Sequence, residues 1–205
     1  MVITSIYETF YDGMYKVQVE NEGTNSVFFI RQEYLNTLKI ENLIKNIEYD
    51  KKAADELLDA GLACVVEIKA LDYLARAEQS RFGLYRKLIE KKYDKNYINK
   101  ALDFLEAKNY LSDERFARAW LNSRKINHYE GKTKLLAELQ IRGIDKDIAT
   151  VAVDNFFIEN DELEICKKAY EKLIKRGKTE EKLVAAMMNA GFSYKLIKSV
   201  KEAYE

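Results

Sequence analysis

With 205 residues, 47% hydrophobic and 33% charged, no proline and eight glycines, the chain has the composition of a folded, helix-rich soluble protein of one or two domains, which argues against disorder. Lys plus Arg equal Asp plus Glu at 34 each, yet the balance is uneven: residues 1–60 carry 6 bases against 11 acids, and residues 61–205 carry 28 against 23. Regional charges of −5 and +5 permit a basic face in the later part without requiring one.

No basic segment followed by an apolar run opens the chain, and no apolar run approaches the roughly 20 residues that span a bilayer, so a cytoplasmic protein is expected. The first elements alternate with period two: Tyr15 to Glu20, then Val27 to Ile30, separated by Asn21-Glu22-Gly23-Thr24-Asn25. This predicts a β-hairpin, with Val2 to Ile6 as a third strand. The periodic stretch Leu38 to Leu58 predicts one or two helices for the strands to pack on, and Gly61 reads as a break before the next element.

From Glu67 onward the period is helical, and the chain resembles itself. Leu84, Leu88, Tyr93, Asp94 and Tyr97 align with Leu135, Leu139, Ile144, Asp145 and Ile148 at an offset of 51 residues, and again with Leu183, Met187, Phe192, Ser193 and Leu196 a further 48 along. Each copy predicts a middle helix ending in "KKYD", "RGID" or "AGFS", then a third helix capped by Asp94, Asp145 or Ser193. Gly143 and Gly191 suit the left-handed residue that closes the middle helix, and Lys92 takes that place in the first copy at a cost in strain.

The expected fold is therefore mainly α: tandem three-helix repeats in an elongated curved stack, preceded by a small β-hairpin plus helix module. The predicted divisions are 1–62 for that module and 63–110, 111–159 and 160–205 for the repeats. A period near 50 residues is typical of units that bury too little surface alone and gain stability from neighbours. Such a surface suits a large partner better than an enclosed small-molecule site.

Side-chain chemistry points the same way. Cys64 and Cys166 each fall in an apolar helical pattern and read as buried thiols, while a single histidine, His128, leaves no zinc-type cluster and no base for a cysteine nucleophile. No cofactor and no metal are expected. In "SDERFARAW", Ser112 or Asp113 caps a helix, Glu114 and Arg115 occupy its first turn, and Phe116, Ala119 and Trp120 form an inward stripe. The bases left for a partner are Arg81, Arg86, Lys87, Arg115, Arg118, Arg124, Lys125, Lys132 and Lys134, spaced so that several could line one side of the repeats. Ordinary solvated charge is the competing account of the same spacing.

Three segments in order, "ALDYLARAEQSRFGL", "NYLSDERFARAW" and "LLAELQIRGID", resemble the bacterial RecX regulatory proteins, and the similarity is strong over residues 67–155. The resemblance implies a cytoplasmic protein of tandem three-helix repeats, without a catalytic centre, that binds the RecA recombinase filament in its groove and modulates it, commonly as an inhibitor. A monomer is expected. The chain departs from the family pattern at Gln79-Ser80, where Arg-Ser is frequent, and at Gly131-Lys132, where Gly-Pro is frequent. The alternative from residue chemistry is a direct DNA-binding module, with the bases on phosphates and some of the 14 tyrosines stacking on nucleobases.

Overall fold

The structure, a computed structural model, describes residues 1–21, 23–177 and 180–204. Glu22 of the expected turn, and Lys178, Thr179 and Glu205 of the expected third repeat, lie outside the described residues. The chain divides into two compact units, one of residues 1–77 with 84–111, the other of residues 78–83 with 112–205.

The first unit opens with an antiparallel sheet in the order β1 (Val2–Glu8), β2 (Met14–Asn21) and β3 (Thr24–Arg31), so the hairpin and the third strand are both present. Ile3, Val17, Val19 and Ile30 are buried beneath it. The helix that covers the sheet is α1 (Lys51–Leu74), which starts later and runs further than the periodicity predicts. Residues 38–50 contain a short 3-10 turn at Ile40–Asn42 in place of the expected helices. Glu56, on the first turns of α1, accepts the backbone N–H groups of Asn36, Thr37 and Leu38 at 2.6, 2.7 and 3.0 Å, tying this segment down. Although burial opposes it, those bonds hold the Glu56 carboxyl at about 2.

Gly61 does not break α1. It is buried inside the helix, and a Cβ there would stand 2.8 Å from the Phe28 ring, so the glycine serves close approach of helix to strand instead of a turn. Asp50 caps the helix by accepting from the Ala53 N–H at 2.8 Å. Helices α2 (Arg81–Glu90) and α3 (Lys95–Ala107) complete the first repeat, with α3 packed on α1. The amino-terminal module and the first repeat thus share one helix.

The second unit contains α4 (Asp113–Asn127), α5 (Lys132–Ile141) and α6 (Lys146–Glu159), then α7 (Glu162–Lys175), α8 (Glu180–Asn189) and α9 (Tyr194–Glu202). One core gathers Ala117, Leu121, Leu135, Leu139, Val153 and Phe156, and a second gathers Cys166, Tyr170, Leu183, Met187, Ile197 and Val200, with Ile165 packed against both.

The internal repeat is visible atom by atom. Between the second and third helices of each copy the same turn recurs: Tyr93 N–H reaches the Leu88 carbonyl at 3.3 Å, Ile144 reaches Leu139 at 3.1 Å and Phe192 reaches Met187 at 3.3 Å. The following caps accept from Asn96, Asp147 and Leu196, through Asp94, Asp145 and Ser193 respectively. The residue that turns left-handed is Lys92 at φ +64°, Gly143 at +80° and Gly191 at +91°. Since a side chain in that region costs about 1–2 kcal/mol, partly offset by the entropy of an unfolded glycine, Lys92→Gly should raise the unfolding free energy by about 0.5–1 kcal/mol. Urea unfolding of the two proteins checks it, and a loss of stability would show that the Lys92 side chain contributes more than its backbone costs.

The fold is mainly α, with repeated three-helix units behind a small β module. Among the described residues no helix is long and apolar enough to cross a membrane.

Candidate partner-binding surface

Helix α4 carries the motif that begins "SDERFARAW". Ser112 caps it by accepting the Arg115 N–H at 3.2 Å. The Asp113 carboxylate instead accepts the Arg81 N–H at 2.7 Å, fastening the first turn of α2 to the start of α4, and burial keeps its carboxyl above the ordinary aspartate value. Asp113 and Glu114 are therefore helix-start charges and not an acid/base pair.

The inward stripe is shifted from the expected one. Ala117 and Leu121 are buried, Phe116 and Trp120 are half-buried, and Ala119 faces solvent. The Trp120 ring carries two guanidinium groups, Arg142 at 4.6 Å and Arg124 at 5.5 Å from its centre, so it organises charge as well as filling the core edge.

This arrangement commits several of the nine bases. Arg124 forms two bonds to Glu130, at 2.7 and 3.1 Å, and Lys134 reaches the same carboxylate at 3.0 Å. Both cations hold the nearly buried Glu130 below the ordinary glutamate range against the effect of its burial. Arg115 pairs with Glu78 at 2.8 Å, and Lys132 pairs with Asp154. Arg115, Arg124, Lys132 and Lys134 thus have carboxylate partners within the chain, which offset this part of the expected row of cations where it sits. Sequence spacing reveals only the Glu130–Lys134 pair, four residues apart, whereas Glu78 and Asp154 come from distant parts of the chain.

Of the remainder, Arg118 and Lys125 are exposed and lie with Asn122 on one face of α4. Arg86 is exposed, Arg81 is half-buried, and the Lys87 ammonium stands 5.3 Å above the Tyr73 ring. Arg118 edges a groove of about 330 Å³ between α4 and α6, walled by Leu121, Ile148, Val151, Phe156 and Ile158, with Glu114 and Glu159 at its rim. Val151 and Ile158, 60% and 81% exposed, bear no charge that would single them out in the sequence; their separation of seven residues places them on one side of α6. Lys125 borders a smaller hollow of about 240 Å³, shared with Arg124, His128, Tyr129 and Lys168. His128 lies exposed at the end of α4, as expected of an interhelix residue.

The thiols of Cys64 and Cys166 are fully buried, which raises the pKa of both and brings Cys166 to about 12. Among the described residues no group of three or more His, Cys, Asp or Glu could hold a metal ion.

Comparison with known proteins places this architecture. Residues 68–105 match the model of the RecX first three-helix domain and residues 112–153 that of the RecX second three-helix domain. The chain is 35% identical over 132 residues to Regulatory protein RecX of Treponema pallidum, covering 64% of this chain and 80% of that protein. The chain belongs to the RecX family. It is also 32% identical over 135 residues to the RecX of Chlorobium limicola, covering 63% of this chain and 82% of that one, and 27% identical over 207 residues to the RecX of Clostridium botulinum, covering 92% and 94%. A crystal structure of regulatory protein RecX shares the fold with a TM-score of 0.77 over 98% of both chains at 21% identity. RecX from Lactobacillus salivarius shares it with a TM-score of 0.60 over 69% of this chain and 96% of that one. RecX membership gives the chain a regulatory, non-catalytic role.

Proposed function

We propose that this RecX protein binds the assembled RecA recombinase filament and inhibits its recombination and coprotease activities. The observation that carries the reading is the match of both three-helix domains, at 68–105 and 112–153, to those of RecX. A single chain is the binding unit, working in the cytoplasm where the filament forms on DNA. Several modest contacts made by successive repeats reinforce one another only if the partner's subunits are held in a lattice, which favours the filament over free RecA.

The contact includes the outward face of α4, with Arg118 and Lys125 supplying charge and the α4–α6 groove supplying apolar surface. Arg81, Arg86 and Lys87 remain candidates on α2. Arg115, Arg124, Lys132 and Lys134 would have to exchange a carboxylate within the chain for one on the partner, so less net affinity is expected from them.

A fluorescence titration of the labelled chain against DNA-assembled RecA, unassembled RecA and naked single-stranded DNA, at one physiological salt concentration, tests this. Filament should bind tightest, and Arg118→Glu with Lys125→Glu should weaken it roughly tenfold with helicity intact. Equal affinity for filament and naked DNA, lost steeply as salt rises, would replace this reading with direct DNA binding through the bases around Lys125, His128 and Lys168.

A further inference from the structure

The outer face of α1 has no part in the function just described. Its inner face buries Leu57, Ala60, Cys64, Val66 and Ala70, whereas Leu58, Leu62, Val65 and Ile68 are 45%, 47%, 45% and 39% exposed. Single exposed aliphatic side chains are ordinary, but these recur at every turn and make one continuous stripe along the middle of a 24-residue helix. Charges close both ends of it: Lys52 and Asp55 before, Lys69 and Asp72 after. The Lys69–Asp72 pair within the chain is partly solvated, at 3.3 Å and with side chains 33% and 54% exposed, and such a pair exchanges partners at little cost.

The order of these charges is self-complementary in one sense only. We infer that α1 is a self-association surface, on which two copies of the chain pair antiparallel with Leu62 on the two-fold axis. Asp55 lies seven residues before Leu62 and Lys69 seven after, two helical turns each way and on the same face, so each Asp55 faces Lys69 of the second copy. Parallel pairing sets Asp55 against Asp55 and Lys69 against Lys69. Sliding the antiparallel pair by three residues sets Asp55 against Asp72. A two-fold interface requires a patch that complements itself, and this register supplies it: Leu58, Leu62 and Val65 meet at the centre and opposite charges meet at both ends.

Four aliphatic side chains per copy fall short of the roughly 1,200 Å² buried by stable complexes, so pairing is weak and reversible and depends on concentration. The single chain that engages RecA and the paired chain are two forms of one protein. This pairing stands independently of the RecA reading.

Cysteine cross-linking tests the register in the intact 205-residue chain, whose native thiols at Cys64 and Cys166 are buried. Leu62→Cys places two thiols together across the axis and should form a covalent dimer under mild copper-phenanthroline oxidation, while Ile68→Cys, displaced from the axis by more than a turn, should not. Adding Lys69→Asp should slow the Leu62→Cys cross-link at least tenfold, and adding Asp55→Lys as well should restore it. Equal cross-linking at both cysteine positions, or no restoration by the charge exchange, overturns the register. Sedimentation of the unaltered chain as a monomer at about 1 mM overturns self-association itself and leaves the stripe to a different partner.

Discussion

Arg31→Met should lower the unfolding free energy by about 3–5 kcal/mol, the largest effect expected of any single change in the first unit. Arg31 ends β3 and Glu67 lies in the later half of α1; the two are 6% and 0% exposed. The guanidinium donates from Nε to both Glu67 oxygens, at 3.0 and 2.8 Å, and from Nη2 at 2.8 Å, while Nη1 donates to the Asp12 carbonyl at 2.5 Å. Its face lies 4.6 Å from the centre of the Phe104 ring on α3. The Tyr34 hydroxyl completes the set by donating to Glu67 at 2.9 Å, and its own deprotonation is opposed by burial and then by the Glu67 charge.

With Met at position 31 the fully buried Glu67 carboxylate loses the guanidinium and keeps the Tyr34 bond. The cost is that of an uncompensated buried charge, more than the net value of the pair. The double variant Arg31→Met, Glu67→Leu should recover most of the loss, since an apolar pair of similar volume needs no desolvation. Urea unfolding of the single and double variants measures both. If the single change costs less than about 1 kcal/mol, Glu67 is relieved by water or a proton, and the pair is not the clamp between sheet and helix described above.

Gly131→Ala should be nearly as damaging in the second unit. Gly131 precedes α5, and its N–H donates to the Ala190 carbonyl at 2.8 Å. A Cβ at Gly131 would stand 2.4 Å from the Gly191 carbonyl oxygen and 2.7 Å from the Phe192 nitrogen, both backbone atoms that no rotamer change can move. Reciprocally, a Cβ at Gly191 would stand 2.5 Å from the Lys134 nitrogen. Adding a methyl to such a contact costs about 1–3 kcal/mol where a core can shift, and about 3 kcal/mol or more is expected here because α5 and the α8–α9 turn must separate. Thermal unfolding with hydrogen exchange on α7 to α9 would show the loss concentrated in the third repeat. Protection unchanged throughout α7 to α9 would mean that the two turns part without consequence.

The repeated parts of the fold were legible because they rest on local rules. Leucines four apart, a left-handed residue and an Asp or Ser cap are written in consecutive residues, and Leu84 and Leu88, Leu135 and Leu139, and Leu183 and Met187 are all buried where their alignment put them. Even the strained Lys92 was readable, from the glycines that occupy its place in the other copies. What was hidden depends on contacts between distant residues. Gly61 reads as a helix end by propensity, yet the approach of Phe28 overrides propensity and the helix continues. Arg31 and Glu67 have the composition of surface residues, and only the meeting of β3 with α1 makes them interior. The nine bases were legible as bases, but the pairing of Lys132 with Asp154 and of Arg115 with Glu78 joins residues far apart in the chain.

The helix shared by the sheet module and the first repeat also sets the order in which the nascent protein can close. All three strands are complete by Arg31, but their inner face has no lid until α1 has emerged, and Arg31 has no counter-ion until residue 67 follows. Phe104, beneath that guanidinium, comes later still on α3. Since compact units fold as wholes during synthesis, the sheet must wait on the ribosome until α1 and α3 have followed it, exposed to any chaperone that recognises bare apolar strands.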